Sequence, residues 1–102
     1  MIKCTCVDDT GKPRVIPADR WIKMGKEYHI IFARFVLPQK EIAVELQEVS
    51  LDESCMPFEY YLGKRFSINK KDIAALIQMI NEASEVQASI AEISQQIWQH
   101  KD

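Results

Sequence analysis

The stretch Lys26-Glu27-Tyr28-His29-Ile30-Ile31-Phe32-Ala33-Arg34-Phe35-Val36-Leu37 decides the fold. Its two alternating faces, Tyr28, Ile30, Phe32 and Ile31, Ala33, Phe35, are both mostly apolar, the pattern of a strand covered on both sides. Gly25 supplies a turn before it and Pro38 closes its far end. It is expected to be the central strand of a small antiparallel β-domain, with Tyr28, Ile30, Phe32 and the later Phe66 in the core.

Upstream, Ile2 to Val7 alternates with Ile2, Cys4 and Cys6 on one face. Asp8-Asp9-Thr10-Gly11-Lys12-Pro13 is dense in turn formers and should reverse the chain. Arg14-Val15-Ile16-Pro17 reads as a short extended piece, its proline at an edge or strand end, after which Trp21 and Ile22 tuck beneath the mouth of the domain. Downstream, Ile42 to Leu51 has Ile42, Val44 and Leu46 inward and Ala43, Glu45 and Gln47 outward. Its alternation reverses after Glu48, which predicts a bulge near Gln47–Val49. The aromatic-rich run from Asp52 to Gly63 is expected to cap the core, and Arg65 to Ile68 to form a last short strand.

From Asn69 the period changes. Asn69 suits an N-cap and Asp72 favours a helix N-terminus. Ile73, Leu76, Ile80, Ala83, Val86, Ile90, Ile93 and Ile97 then recur in steps of three and four, with no Gly or Pro up to His100. One helix over 70–99 would run roughly 45 Å, beside a β-body on the order of 25–30 Å across. Val86, Ile90, Ile93, Ile97 and Trp98 would then overhang and form an oligomer interface, relieved by a second copy as a dimer or tetramer. The rival expectation is a bend near Ala83–Ser84 that folds the helix back onto the β-part and leaves a monomer.

A chain of 102 residues is one domain by length, and 47% hydrophobic with 27% charged residues is ordinary globular composition. No apolar run approaches a bilayer crossing, and Met1-Ile2-Lys3-Cys4 shows no signal-peptide pattern. With three cysteines, a reduced, cytoplasmic protein without a membrane span is expected. The net charge of −2 argues against a general polyanion binder, but the charges are blocked. Residues 1–40 hold eight Lys/Arg against four Asp/Glu, and 41–63 hold six acids and no Lys or Arg. Such blocks usually neutralise one another between neighbouring strands.

Little catalytic chemistry is written here. Cys4-x-Cys6 with Cys55 and His29 has the residue types of a zinc site, but structural zinc uses Cys-x₂-Cys knuckles in turns, and free cysteine is a common core residue. His29 has no nucleophile visibly paired to it, and the three glycines are too scattered for a phosphate loop. No catalytic residue, cofactor or metal site is expected, and no enzyme. Trp21, Phe58, Tyr60, Tyr61 and Phe66, with Arg14, Arg20, Lys23, Lys26, Lys64 and Arg65, have the aromatic-plus-basic mix of nucleic-acid-binding barrels. The core's own need for aromatics is the competing account.

The order Cys4…Asp8-Asp9-Thr10-Gly11-Lys12-Pro13, then Gly25-Lys26-Glu27-Tyr28-His29-Ile30, then a charged amphipathic strand, then Arg65-Phe66, resembles small SH3-like barrel proteins of bacteriophages and of mobile elements in Bacteroides-type bacteria. The resemblance covers roughly residues 2–68. It implies a five-stranded SH3-like barrel over 1–68, places Arg65 beside the Gly25 turn, and supplies no catalytic residues to transfer. The amphipathic helix expected over 69–102 departs from it, since many such barrels stop at Arg-Phe. Fold and resemblance together imply a mainly β protein with one long C-terminal helix. The function expected is a non-catalytic interaction module of a phage or mobile element, self-associating through that helix. A protein partner is a further expectation. The alternative is a nucleic-acid-binding accessory factor using Arg20, Lys23, Lys26, Lys64 and Arg65.

Overall fold

The computed structural model describes residues 1–83 and 88–100. Six strands, β1 (Ile2–Cys6), β2 (Glu27–Val36), β3 (Glu41–Leu46), β4 (Tyr61–Leu62), β5 (Phe66–Asn69) and β6 (Trp98–His100), form one sheet in the order β4-β3-β2-β1-β5-β6. All pairings are antiparallel except that of β5 with β6. Two helices follow β5 in the chain: α1 (Ile73–Ala83) and α2 (Ile90–Gln96). The expected five-stranded barrel is thus an open, mixed, six-stranded sheet with β4 and β6 as its edges. Among the described residues no helix is long and apolar enough to cross a membrane.

The first strand is as its alternation dictates, with Ile2, Cys4 and Cys6 buried. The long strand β2 departs from expectation at its middle. Ile30 faces Leu46 but Phe32 faces Glu45, so one extra residue is accommodated between them. This bulge shifts the phase of the strand. Tyr28 and Ile30 are inward before it, and Ala33 and Phe35 are inward after it. Ile31 and Phe32 both turn outward, Phe32 retaining 38% of its exposure. The two apolar faces that suggested a doubly covered strand are therefore one buried face that changes parity, and Phe32 is not core. The bulge lies in β2, not near Gln47–Val49.

Two other segments differ from their reading. Arg14–Pro17 is not extended: Ile16 N–H donates to the Pro13 carbonyl at 3.1 Å, a tight turn that buries Ile16. Ala43, expected outward, is buried, on the part of β3 that pairs with β4.

The single long helix is replaced by two helices and a strand. Asn69 caps as expected, accepting from Lys71 N–H at 3.0 Å, and a 3-10 turn over Lys70–Asp72 leads into α1. The chain then restarts at Ser89, whose hydroxyl accepts from Glu92 N–H and donates to the Glu92 carboxylate. Ser89-Ile90-Ala91-Glu92 has the sequence signature of a capping box, and here the N-cap half is made to the backbone while the Glu92 carboxylate bonds the Ser89 hydroxyl. Upstream of it the Asn81 side chain receives Ala88 N–H at 2.7 Å. At the far end Ile97 leaves helical geometry (φ −137°, ψ 136°) and β6 begins. Leu76 and Ile80 of α1, Ile93 of α2 and Ile97 pack with the inward residues of the strands in one core. Residues 69–83 and 88–100 are thus layered on the same core as 1–68, along the fold-back path and not the overhanging one.

Candidate functional site

The richest surface feature lies where the loop over residues 8–16 approaches the segment over 52–62. Each wall is built by local chemistry. Asp8 accepts both the amide (3.0 Å) and the hydroxyl (2.6 Å) of Thr10, fixing the start of the first loop. These two bonds, with Arg65 nearby, hold its carboxyl below the usual range. Gly11 turns the loop in left-handed geometry at φ 72°, a conformation that favours glycine. On the other wall Asp52 accepts from Ser54 N–H, starting a turn that buries Cys55, and Phe58 N–H returns to the Cys55 carbonyl at 2.9 Å. The Met56–Pro57 peptide is cis. Phe58, Glu59 and Tyr60 then rise to β4.

Between the walls runs a groove of about 350 Å³ lined by Trp21, Phe58, Tyr60 and Tyr61, with Gly11, Pro13, Ile16, Pro57, Leu62, Arg65, Glu41 and Glu59. Trp21 and Tyr61 rings stand 6.0 Å apart at 53°. Their polar tips are spent on the protein itself. Trp21 Nε1 donates to the Asp9 carbonyl at 2.7 Å, and the Tyr61 hydroxyl donates to the Arg20 carbonyl at 2.6 Å. Burial pushes the Tyr61 phenol well above its ordinary pKa, so it stays a neutral donor.

Arg65 is equally committed. Its guanidinium lies 5.0 Å from the Trp21 ring centroid, donates to the Thr10 carbonyl at 2.6 Å, and sits 3.5 Å from the Asp8 carboxylate. It ties the first loop to the start of β5, whose neighbour Val7 donates to the Arg65 carbonyl. It does not pair with Glu27 or Glu59. By contrast, the side chains of Glu41 and Glu59 have neither an ion pair nor a hydrogen bond among the described residues.

The basic residues expected to form one face do not share this lining. Of Arg20, Lys23, Lys26, Lys64 and Arg65, only Arg65 lines the groove. Arg20 pairs with Asp52 at 3.3 Å, and Lys26 lies 5.4 Å from the Tyr28 ring centroid. Lys23 is exposed in the turn before β2, and Lys64 lines a shallow depression with Lys70, Gln95 and Trp98. The expected interface residues also separate. Ile93 and Ile97 are core, Ile90 and Trp98 are exposed at 64% and 67%, and Val86 lies outside the described residues.

The other chemical candidates do not line the groove. Cys4, Cys6 and Cys55 are free and buried, and burial pushes the Cys4 thiol up to about 12. His29 Nδ1 lies 2.5 Å from Glu48, whose other oxygen accepts the His29 amide at 2.8 Å. Among the described residues no three His, Cys, Asp or Glu side chains gather as a metal site.

The groove was only half legible in the sequence. Phe58, Tyr60 and Tyr61 announce themselves as an aromatic cluster beside Pro57, but Ile16 comes from a distant turn and Glu41 from the start of β3, and neither carries a local signal. No protein-family model, curated protein or solved structure matches the chain.

Proposed function

We propose that the protein is a non-catalytic interaction module that takes a segment of a partner protein into the groove between residues 8–16 and 52–62. The observation that supports this most is the division of labour inside the groove. Phe58 is exposed and Tyr60 is half-buried against the Arg34 guanidinium, while the Trp21, Tyr61 and Arg65 donors are consumed internally. Such a lining offers apolar contact area at low entropic cost, as aromatic recognition surfaces do. It offers little to a phosphate, because its one cation is already neutralised by Asp8. Among the described residues, self-association through the helical stripe keeps Ile90 and Trp98 as its exposed members, since Ile93 and Ile97 are enclosed by their own chain.

Nucleic-acid binding is the second reading, favoured by the exposed Trp98 beside Lys64 and Lys70. One experiment separates the two. Random displayed peptides are selected on the protein and on a Phe58→Ser/Tyr60→Ser variant, and both are titrated with single-stranded DNA and RNA. Enrichment of peptides on the parent alone is the expected result. A salt-dependent shift of the oligonucleotides, with no groove-dependent peptide, reverses the order of the readings.

A further inference from the structure

Resting on the groove as a protein-binding site, we infer that its partner segment is extended and carries a basic side chain next to a proline or aliphatic residue. Charge complementarity carries this inference. The segment over 41–63 holds six carboxylates and no Lys or Arg. Glu48 is taken by His29 and Asp52 by Arg20. Glu41 and Glu59 both line the groove and have no internal partner among the described residues. Of the cations around the groove, Arg65 is taken by Asp8, Lys40 by Glu92 and the Lys12 ammonium by the Pro13 and Ile16 carbonyls, while Arg34 lies against the Tyr60 ring.

The groove therefore joins an apolar, aromatic surface to two unspent negative charges. A lysine or arginine answers both, its alkyl stem lying on the exposed Phe58 ring and its cation reaching a carboxylate. An acidic segment would place like charges together and is selected against. Extension follows from the shape of the site. It is a groove bordered by the edge strand β4, and a proline-containing segment enters such a groove with little conformational freedom to lose.

The test uses the full chain and a random seven-residue peptide library. Selection is run on the parent, on Phe58→Ser/Tyr60→Ser and on Glu41→Gln/Glu59→Gln, and circular dichroism checks that each variant is folded. The parent should enrich peptides with Arg or Lys at a fixed position beside Pro or an aliphatic residue. By fluorescence polarisation, one such peptide should bind the Glu→Gln variant about three- to five-fold more weakly per carboxylate lost, the size of an exposed ion pair. Groove-dependent peptides without a basic residue, or with unchanged affinity for the Glu→Gln variant, overturn this inference and leave the interaction module standing. Failure to find any peptide that distinguishes the parent from Phe58→Ser/Tyr60→Ser overturns both.

Discussion

The Gln96 side-chain oxygen accepts the Ile42 N–H at 2.6 Å, and the nitrogen of the same amide donates to the Lys40 carbonyl at 2.7 Å. Strand β4 covers only Ala43 and Val44 of β3. Beyond it, one side chain from α2 stands in for a peptide group and satisfies the exposed edge. Replacing Gln96 by Met keeps the volume and removes both bonds. The part-buried Ile42 amide is then stranded, and the loss in urea denaturation should be about 1–3 kcal/mol. An unchanged midpoint would show that water serves the edge equally well.

The β2 bulge sets a contrast between neighbours. Ile30 is fully enclosed, so Ile30→Ala should cost about 2–5 kcal/mol. Phe32 has turned outward, so Phe32→Ala should cost about 1 kcal/mol or less. Equal costs at the two positions would place Phe32 inside and remove the bulge.

Ile93 and Ile90 separate core from surface on α2. Ile93→Asp puts a charge where the side chain has no exposure and should unfold the chain. Ile90→Asp should leave circular dichroism and thermal midpoint near the parent values. A folded Ile93→Asp variant with a reduced mass in light scattering would restore that residue to an oligomer interface.

Acid should act through four carboxyls held below their ordinary values. At Glu48, burial pushes upward, but the hydrogen bonds from the His29 ring and amide outweigh it. Thr10 holds Asp8 down, Ser54 holds Asp52 down, and Lys40 holds Glu92 down. A carboxyl lowered by folding contributes stability that is fully present above its unfolded pKa and is lost as pH falls through its folded one. Their contribution should therefore be constant above about pH 5, then fall as the pH drops below the ordinary 4.5 of glutamate and 3.8 of aspartate. Glu48→Gln should flatten that decline in urea midpoints measured between pH 7 and pH 3. A decline of undiminished steepness would remove the His29 contact from the account.

What the sequence carried, it carried locally. Alternation placed Ile2, Cys4 and Cys6 inside, and the Asn69 cap set the start of the helical region. The misreadings came where two periodicities overlap. A bulge converts one buried face into the appearance of two. The spacing of Ile90, Ile93 and Ile97 fits an uninterrupted helix as well as it fits a restart at Ser89. There the Ser89-x-x-Glu92 signature marks the restart, which the hydrophobic period alone does not show. The groove depends on Ile16 and Glu41 meeting Phe58 and Tyr61 in space, which no local pattern encodes.

The strand order has a consequence for how the chain's halves depend on one another. Residues before the 53–55 turn contribute β3, β2 and β1, three adjacent strands in the middle. Residues after it contribute β4 on one flank and β5 with β6 on the other. The later half clasps the earlier half from both sides, so a cut in the exposed 56–59 segment frees neither piece. The two fragments remain dovetailed through ladders at both seams, and each holds the template the other needs for its unpaired edges.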